Sequence, residues 1–174
     1  DGCLETGGED VGERRAGPQP PRDGADELVD VGEGLDAEEV VRADGAGDAH
    51  AREVVALIRE AGRKAVAIPG DLRDEAFCKK LVDEAVRQLG GLDILVNNAV
   101  YQKSQVSILD ITTEQLDQTF RTNVYAMFWI TKAAVPHLKP GSAIVNTSSV
   151  NAYQPSEILL DYAMTKAAIM NFSK

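Results

Sequence analysis

The chain has 174 residues, 44% of them apolar and 26% charged, enough for one domain with a core or for part of a larger one. Its formal charge of −10 sits in one segment: residues 1–48 carry 15 acidic against 4 basic side chains, and the remainder 13 against 14, so the two parts stand at −11 and +1. A near-neutral body without a basic stripe gives no electrostatic reason for a nucleic-acid partner, and no run has the length of a membrane-crossing helix, so neither nucleic acid nor membrane is expected.

No apolar stretch follows a basic start, so no signal peptide is expected. Cys3 and Cys78 lie far apart and form no metal or redox motif, which fits a reduced, cytoplasmic setting and predicts no metal site. The first residue is Asp1 rather than Met, and Lys174 interrupts an apolar helical pattern, so the chain reads as a fragment cut at both ends.

Residues 1–48 contain no Phe, Tyr, Trp, Ile, Met, Lys, Ser or Asn and hold 10 of the 15 glycines, with a proline-rich knot at Gly17–Pro21. So little to bury and so much like charge cannot offset chain entropy, and disorder is the expectation. The structured alternatives are a short apolar run at Glu27–Gly32 and a helical turn in "AEEVVRA".

From residue 49 the texture becomes alternating helix and strand. "AREVVALIREAG" puts Val54, Val55, Leu57 and Ile58 on one helical stripe and ends at Gly62. "KAVAIPGD" is a short apolar strand. A second amphipathic helix follows, with Phe77, Leu81, Ala85 and Leu89 at four-residue intervals. "LDILVNNA" reads as a buried strand, because Ile94, Leu95 and Val96 run without polar alternation. A long helix opens with Thr112 or Thr113 as cap and carries Leu116, Phe120, Val124, Met127 and Phe128 on an apolar face. "SAIVNTSS" is another buried strand, and a helix beginning in "LLDYAMTKAAI" closes the chain. This alternation predicts an α/β fold, a doubly wound parallel sheet with crossovers on both faces.

Ligands of open α/β sheets bind at the carboxyl ends of the strands. Those ends present Asp71 and Leu72, then Asn97 and Asn98, then Ser148 and Ser149; Asn123 is a polar residue within the long helix. Tyr162 precedes Lys166 by four residues, which places both on one helical face. The spacing alone does not separate a catalytic pair from a surface contact. Four residues after Tyr101, Tyr125 and Tyr153 stand Gln105, Trp129 and Glu157, so the pattern is specific to one of the four tyrosines.

Taken in order, Gly70–Leu72, "DILVNNA", the Asn123 helix, "IVNTSS", the 13-residue gap from Ser149 to Tyr162 and the Tyr-x-x-x-Lys spacing resemble the short-chain dehydrogenase/reductase family over Ala51–Lys174. The wording "SSVNAYQPSEILLDYAMTKAAI" is similar to a bacterial branch of glucose/ribitol dehydrogenase-like and general stress proteins. The resemblance implies a Rossmann-like fold, NAD or NADP as cofactor, and interconversion of a carbonyl and an alcohol on a small-molecule substrate. It implies Tyr162 as acid/base, Lys166 beside it and on the nicotinamide ribose, Ser149 orienting the reacting oxygen, and Asn123 holding a water in a proton relay. A phenol titrating near ~10 is a poor base at neutral pH, and an ammonium one helical turn away favours phenolate. Asp71 and Leu72 match positions that contact adenine, and Asn98 one beside the adenosine ribose. Asn97 reads instead as a strand-end brace and Asp93 as a strand-start residue. Tyr153 and Gln154 line the substrate pocket or fill the loop. The apolar stripe of the Asn123 helix is core or, as the family implies, part of a homo-oligomer (dimer or tetramer) face.

Three departures qualify this resemblance. The family's phosphate turn, Thr-Gly-x-x-x-Gly-x-Gly after a buried strand, has one candidate, Thr6–Glu13; Val11 and Glu13 occupy its later glycine positions, so it is rejected as a phosphate cradle. Without the first two strands, the Ala65–Ile68 strand is expected to lack a neighbour, and this polypeptide is expected neither to fold stably nor to turn over. The change near residue 48 suggests a wrong reading frame upstream or an acidic extension. Val100 stands where the family carries glycine after Asn-Asn-Ala. The competing readings are a catalytically inactive, truncated or pseudogene product and an epimerase or dehydratase using the same Tyr–Lys pair.

Overall fold

The computed structural model describes residues 39–41 and 48–174, with side chains from Ala51 onward. The expected disorder of 1–48, the rejected turn at Thr6–Glu13 and the apolar run at Glu27–Gly32 fall outside the described residues, apart from 39–41. The described elements are β1 (Glu39–Val41), α1 (Asp48–Glu60), β2 (Ala65–Ala67), α2 (Glu75–Leu89), β3 (Ile94–Asn97), α3 (Thr113–Phe120), α4 (Ala126–Ala134), β4 (Ala143–Asn146) and α5 (Leu160–Phe172).

Two expectations are corrected at β1. "AEEVVRA" contributes an extended segment rather than a helical turn, and β2 has a neighbour: β1 pairs with it in parallel, Glu39 opposite Ala65 and Val41 opposite Ala67. The β-branched pair Val40–Val41 suits a strand better than a helix. The parallel pattern therefore starts upstream of the change in composition at residue 48. The second pair, β3 with β4, is also parallel, with Ile94 opposite Ala143 and Asn97 opposite Asn146. Among the described residues these are two separate two-stranded sheets, an incomplete form of the doubly wound fold.

Local chemistry sets the helix boundaries. Past α1, Gly62 adopts φ +79°, where its N–H bonds the Arg59 carbonyl and Arg63 N–H bonds that of Ile58. Asp74 caps α2 by accepting from Ala76 N–H at 2.9 Å, and Gly90 ends it at φ +96°. Thr112 is the cap of α3, accepting from Gln115 N–H at 3.2 Å. Between α3 and α4 the long helix widens into a π turn over Arg121–Tyr125, centred on Asn123. Such turns inside helices occur frequently at functional sites.

The core lies where α2 packs on α4, from Leu81, Val82, Ala85, Ala126 and Ile130, with Ile68 and Leu72 beneath and Leu95 against them. The stripe on α2 behaves as read. On α1, Val55 is buried but Leu57 points to solvent. The expectation that β3 and β4 are buried on both sides is corrected: Ile94, Val96 and Val145 are about half exposed. The α2–α4 layer covers the Leu95 side, and no described element covers the other. The apolar face of the long helix also divides. Met127 and Ile130 turn inward, while Tyr125 and Phe128 remain exposed.

Candidate active site

Tyr162 and Lys166 lie on α5, a turn apart, and both are buried. The Lys166 ammonium sits 5.5 Å from the centroid of the Tyr162 ring, within cation–π range. Its Nζ donates to the carbonyl of Thr147, just past β4, at 2.7 Å. Ser148 Oγ donates to the main-chain carbonyl of Lys166 at 3.1 Å. The end of β4 and the middle of α5 are thus joined in both directions. Lys166 is only 3% exposed. Burying an ammonium is costly unless its charge is compensated, and at this position the charge lies beside a phenol.

Asn123 faces the same helix from the π turn. Its Oδ1 accepts from Tyr101 N–H at 2.7 Å, and its Nδ2 donates to the Tyr101 carbonyl and to Thr165 Oγ1, each at 2.9 Å. Thr165 Oγ1 in turn donates to the Tyr162 carbonyl at 2.7 Å. Both amide hydrogens of Asn123 are therefore engaged. A water held by this residue would meet the second lone pair of Oδ1 or the main chain. The side chain clamps the loop after β3 to α5, a role beyond the water-holding one expected of it.

Ser149 precedes a short 3₁₀ turn, Val150–Ala152, and its Oγ accepts from Asn151 N–H at 3.2 Å. It is half-buried at the carboxyl end of β4, while the direct contact with Lys166 comes from Ser148. At the end of β3, Asn97 Nδ2 donates to Asn146 Oδ1 at 2.8 Å and to Thr131 Oγ1 at 3.1 Å, the expected strand-end brace. Asn98 Oδ1 accepts from Thr147 Oγ1 at 2.7 Å, which connects it to the residue that holds Lys166.

The residues expected at the adenine end stand apart from this group. Leu72 is a core side chain whose carbonyl accepts from Cys78 Sγ at 3.1 Å. Asp71 is exposed, its carboxylate forked by the Arg73 guanidinium at 2.7–3.0 Å, and that contact raises Arg73 above its ordinary pKa. Tyr153 is exposed, and Val100 lies half-buried after the Asn97–Asn98 pair.

Sequence reasoning passed over Asp161, Gln115, Thr119 and Thr165, all buried and all hydrogen-bonded around the start of α5. The available signal was the polar pair Gln115 and Thr119, four residues apart on an amphipathic helix and so on one face.

Parallel strands with helical crossovers, and a buried Tyr–Lys pair at the carboxyl end of β4, define a Rossmann-type α/β site. The sequence model of the short chain dehydrogenase family matches residues 36–174, and the chain belongs to that family. It is 46% identical over 172 residues to the uncharacterized oxidoreductase YghA of Escherichia coli (strain K12), covering 99% of this chain and 54% of that protein. It is 49% identical over 124 residues to general stress protein 39 of Bacillus subtilis (strain 168), covering 71% and 43%. Among solved structures, a short chain dehydrogenase from Burkholderia cenocepacia J2315 in complex with NADP superposes with a TM-score of 0.73 at 35% identity, over 76% of this chain and 54% of that one. The chain spans about half the length of the curated relatives it matches.

Proposed function

We propose that the protein carrying this chain is an NAD(P)-dependent oxidoreductase that interconverts a carbonyl and an alcohol on a small-molecule substrate. The observation that carries the reading is the Lys166 ammonium, buried, anchored on the Thr147 carbonyl at 2.7 Å and 5.5 Å from the Tyr162 ring.

On this reading the nicotinamide half of a dinucleotide lies at this site. Lys166, Tyr162, Ser149 and Asn98 converge at the carboxyl ends of β3 and β4, where ligands of such sheets bind. The segment expected to hold the pyrophosphate lies outside the described residues. When bound, the nicotinamide supplies or accepts the hydride. The protein's part is proton chemistry and placement. Tyr162 gives its hydroxyl proton to the carbonyl oxygen during reduction and takes one from the alcohol during oxidation. The Lys166 ammonium stands 5.5 Å from the Tyr162 ring and binds the ribose. Ser149 orients the reacting oxygen with its hydroxyl. Asn123 holds the β3–α3 loop against α5, and a water of the proton relay would sit on its second Oδ1 lone pair or its main chain. Asp71 and Leu72 bear on the adenine, Leu72 through its main chain.

The reading places the protein in the cytoplasm as a homo-oligomer. A hollow of about 630 Å³ on the α4–α5 face, lined by Tyr125, Phe128, Trp129 and Phe172, supports a second copy as its neighbour. Residues 49–174 are read as part of one Rossmann-type domain.

The test is reduction of sugars, small aldehydes and 3-oxoacyl compounds by the full-length protein with NADPH and with NADH. Turnover with at least one pair is expected. Tight dinucleotide binding without turnover across all three substrate classes would overturn the reading.

A further inference from the structure

Helix α5 begins at Leu160 with no side-chain cap from Leu159. The N–H groups of a first helical turn have no partners within the helix. One of them, Tyr162 N–H, donates to Asp161 Oδ1 at 2.9 Å. The other carboxylate oxygen, Oδ2, accepts from two side chains of α3: Thr119 Oγ1 at 2.7 Å and Gln115 Nε2 at 3.1 Å. Asp161, Thr119 and Gln115 are all buried. Gln115 continues the chain outward. Its Nε2 also reaches the Lys103 carbonyl at 3.3 Å, and its Oε1 accepts from Gln105 Nε2 at 2.7 Å. The main-chain N–H of Gln105 donates to the Ile158 carbonyl at 2.9 Å.

These bonds have one consistent direction. Turning the Gln115 amide over would set its oxygen against Asp161 Oδ2 and the Lys103 carbonyl, and its nitrogen against that of Gln105. The acceptor at Asp161 therefore fixes the orientation of Gln115, and Gln115 fixes that of Gln105. Volume alone does not account for this. A buried carboxylate is costly unless donors surround it, and here three donors and the positive end of α5 do so.

We propose that Asp161 is a positioning residue for Tyr162: its buried carboxylate ties the first turn of α5 to α3 and, through Gln115 and Gln105, to the loop at residues 101–107 that leaves β3. One charge then sets both the catalytic tyrosine and the loop that Asn123 clamps from the other side. The inference rests on the oxidoreductase reading for the role of Tyr162.

The experiment compares the full-length protein with Asp161→Asn, Gln115→Glu and the double variant. Two quantities are read: amide hydrogen exchange in segments 101–107 and 159–164, and kcat and KM for dinucleotide-dependent reduction of a small aldehyde. Asp161→Asn keeps the volume and an acceptor for Tyr162 N–H, but sets a donor against the Gln115 amide. It is expected to speed exchange in both segments and to lower kcat by about tenfold or more, while the dinucleotide KM changes less than about twofold. Gln115→Glu alone brings two carboxylates together and is expected to be worse. The double variant exchanges donor and acceptor at that contact and is expected to recover part of both losses, since a carboxylate oxygen still faces the Lys103 carbonyl. If Asp161→Asn leaves segment 101–107 unchanged, or the double variant recovers nothing, Asp161 serves only its own helix and the proposal falls. If the exchange pattern is as expected but even the wild type has no turnover, the oxidoreductase reading fails while the Asp161 linkage stands. Should Asp161→Asn not fold, Thr119→Val removes one donor of the three, and the same two readouts in milder form decide.

Discussion

Two regions of the molecule invert the usual relation between polarity and burial. Around the start of α5, Asn123, Asp161 and Thr165 are 2%, 1% and 0% exposed, whereas the apolar strand residues Ile94, Val96 and Val145 stand at 49%, 47% and 50%. The polar residues are buried because each has directed partners on the neighbouring helix or loop. The apolar ones are exposed because no described element covers their face of the β3–β4 pair. The buried group around Tyr162 and Lys166 is thus assembled from contacts among α3, the π turn, α5 and the ends of β3 and β4. The segment expected to hold the pyrophosphate lies outside the described residues.

The largest way to break this comparison is at Asn123. Asn123→Leu keeps the branched shape but strands the N–H and carbonyl of Tyr101, while the Thr165 hydroxyl keeps its bond to the Tyr162 carbonyl. A loss of about 2–5 kcal/mol is expected in urea unfolding of the full-length protein. A loss below that range would mean that the clamp contributes little. Gly70 tests the α2 side of the core. A Cβ there would lie 2.0 Å from the Phe77 ring, so Gly70→Ala must displace the ring and is expected to cost about 1–3 kcal/mol, partly recovered by Phe77→Leu. Val100→Gly sharpens the comparison from the cofactor side. It permits closer backbone approach and is expected to lower the dinucleotide Kd with little change in kcat.

The smallest effect lies on the exposed face of α2. Hydrogen bonds from Arg87 and Gln88 hold the Glu84 carboxyl down to about 2 from its ordinary 4.5. A depressed carboxylate contributes stability above its unfolded-state value and loses it as pH falls toward 2. Glu84→Gln is therefore expected to lower the melting temperature at pH 7 slightly, as for other exposed pairs, and to flatten its decline between pH 4.5 and 2 by the same small amount.

Much of the fold was legible because helix and strand periods differ. The α2 stripe, the Thr112 cap and the strands at Ile94–Asn97 and Ala143–Asn146 lie where periodicity and capping chemistry put them. The strand at Glu39–Val41 was hidden because three residues carry no period and the surrounding composition is acidic. The exposure of Ile94 and Val96 was hidden because an apolar run reports what a strand can bury, not which neighbours are present. Tyr162 and Lys166 were visible through their spacing, yet Asp161 beside them was not. An aspartate in a helical first turn reads as a favourable charge at an exposed terminus, and only the fold brings Gln115 and Thr119 onto it. Likewise, nothing in the sequence distinguishes an asparagine that holds a water from one that clamps Tyr101.

On the proposed function, the Tyr162 hydroxyl carries the proton in a dinucleotide-dependent carbonyl reduction. Tyr162→Phe in the full-length protein removes that one oxygen and leaves the ring beside Lys166. Dinucleotide binding and aldehyde turnover, measured on the same preparation, decide the matter. An unchanged Kd and a fall in kcat of about a hundred- to ten-thousand-fold are expected. Turnover equal to wild type would contradict that role.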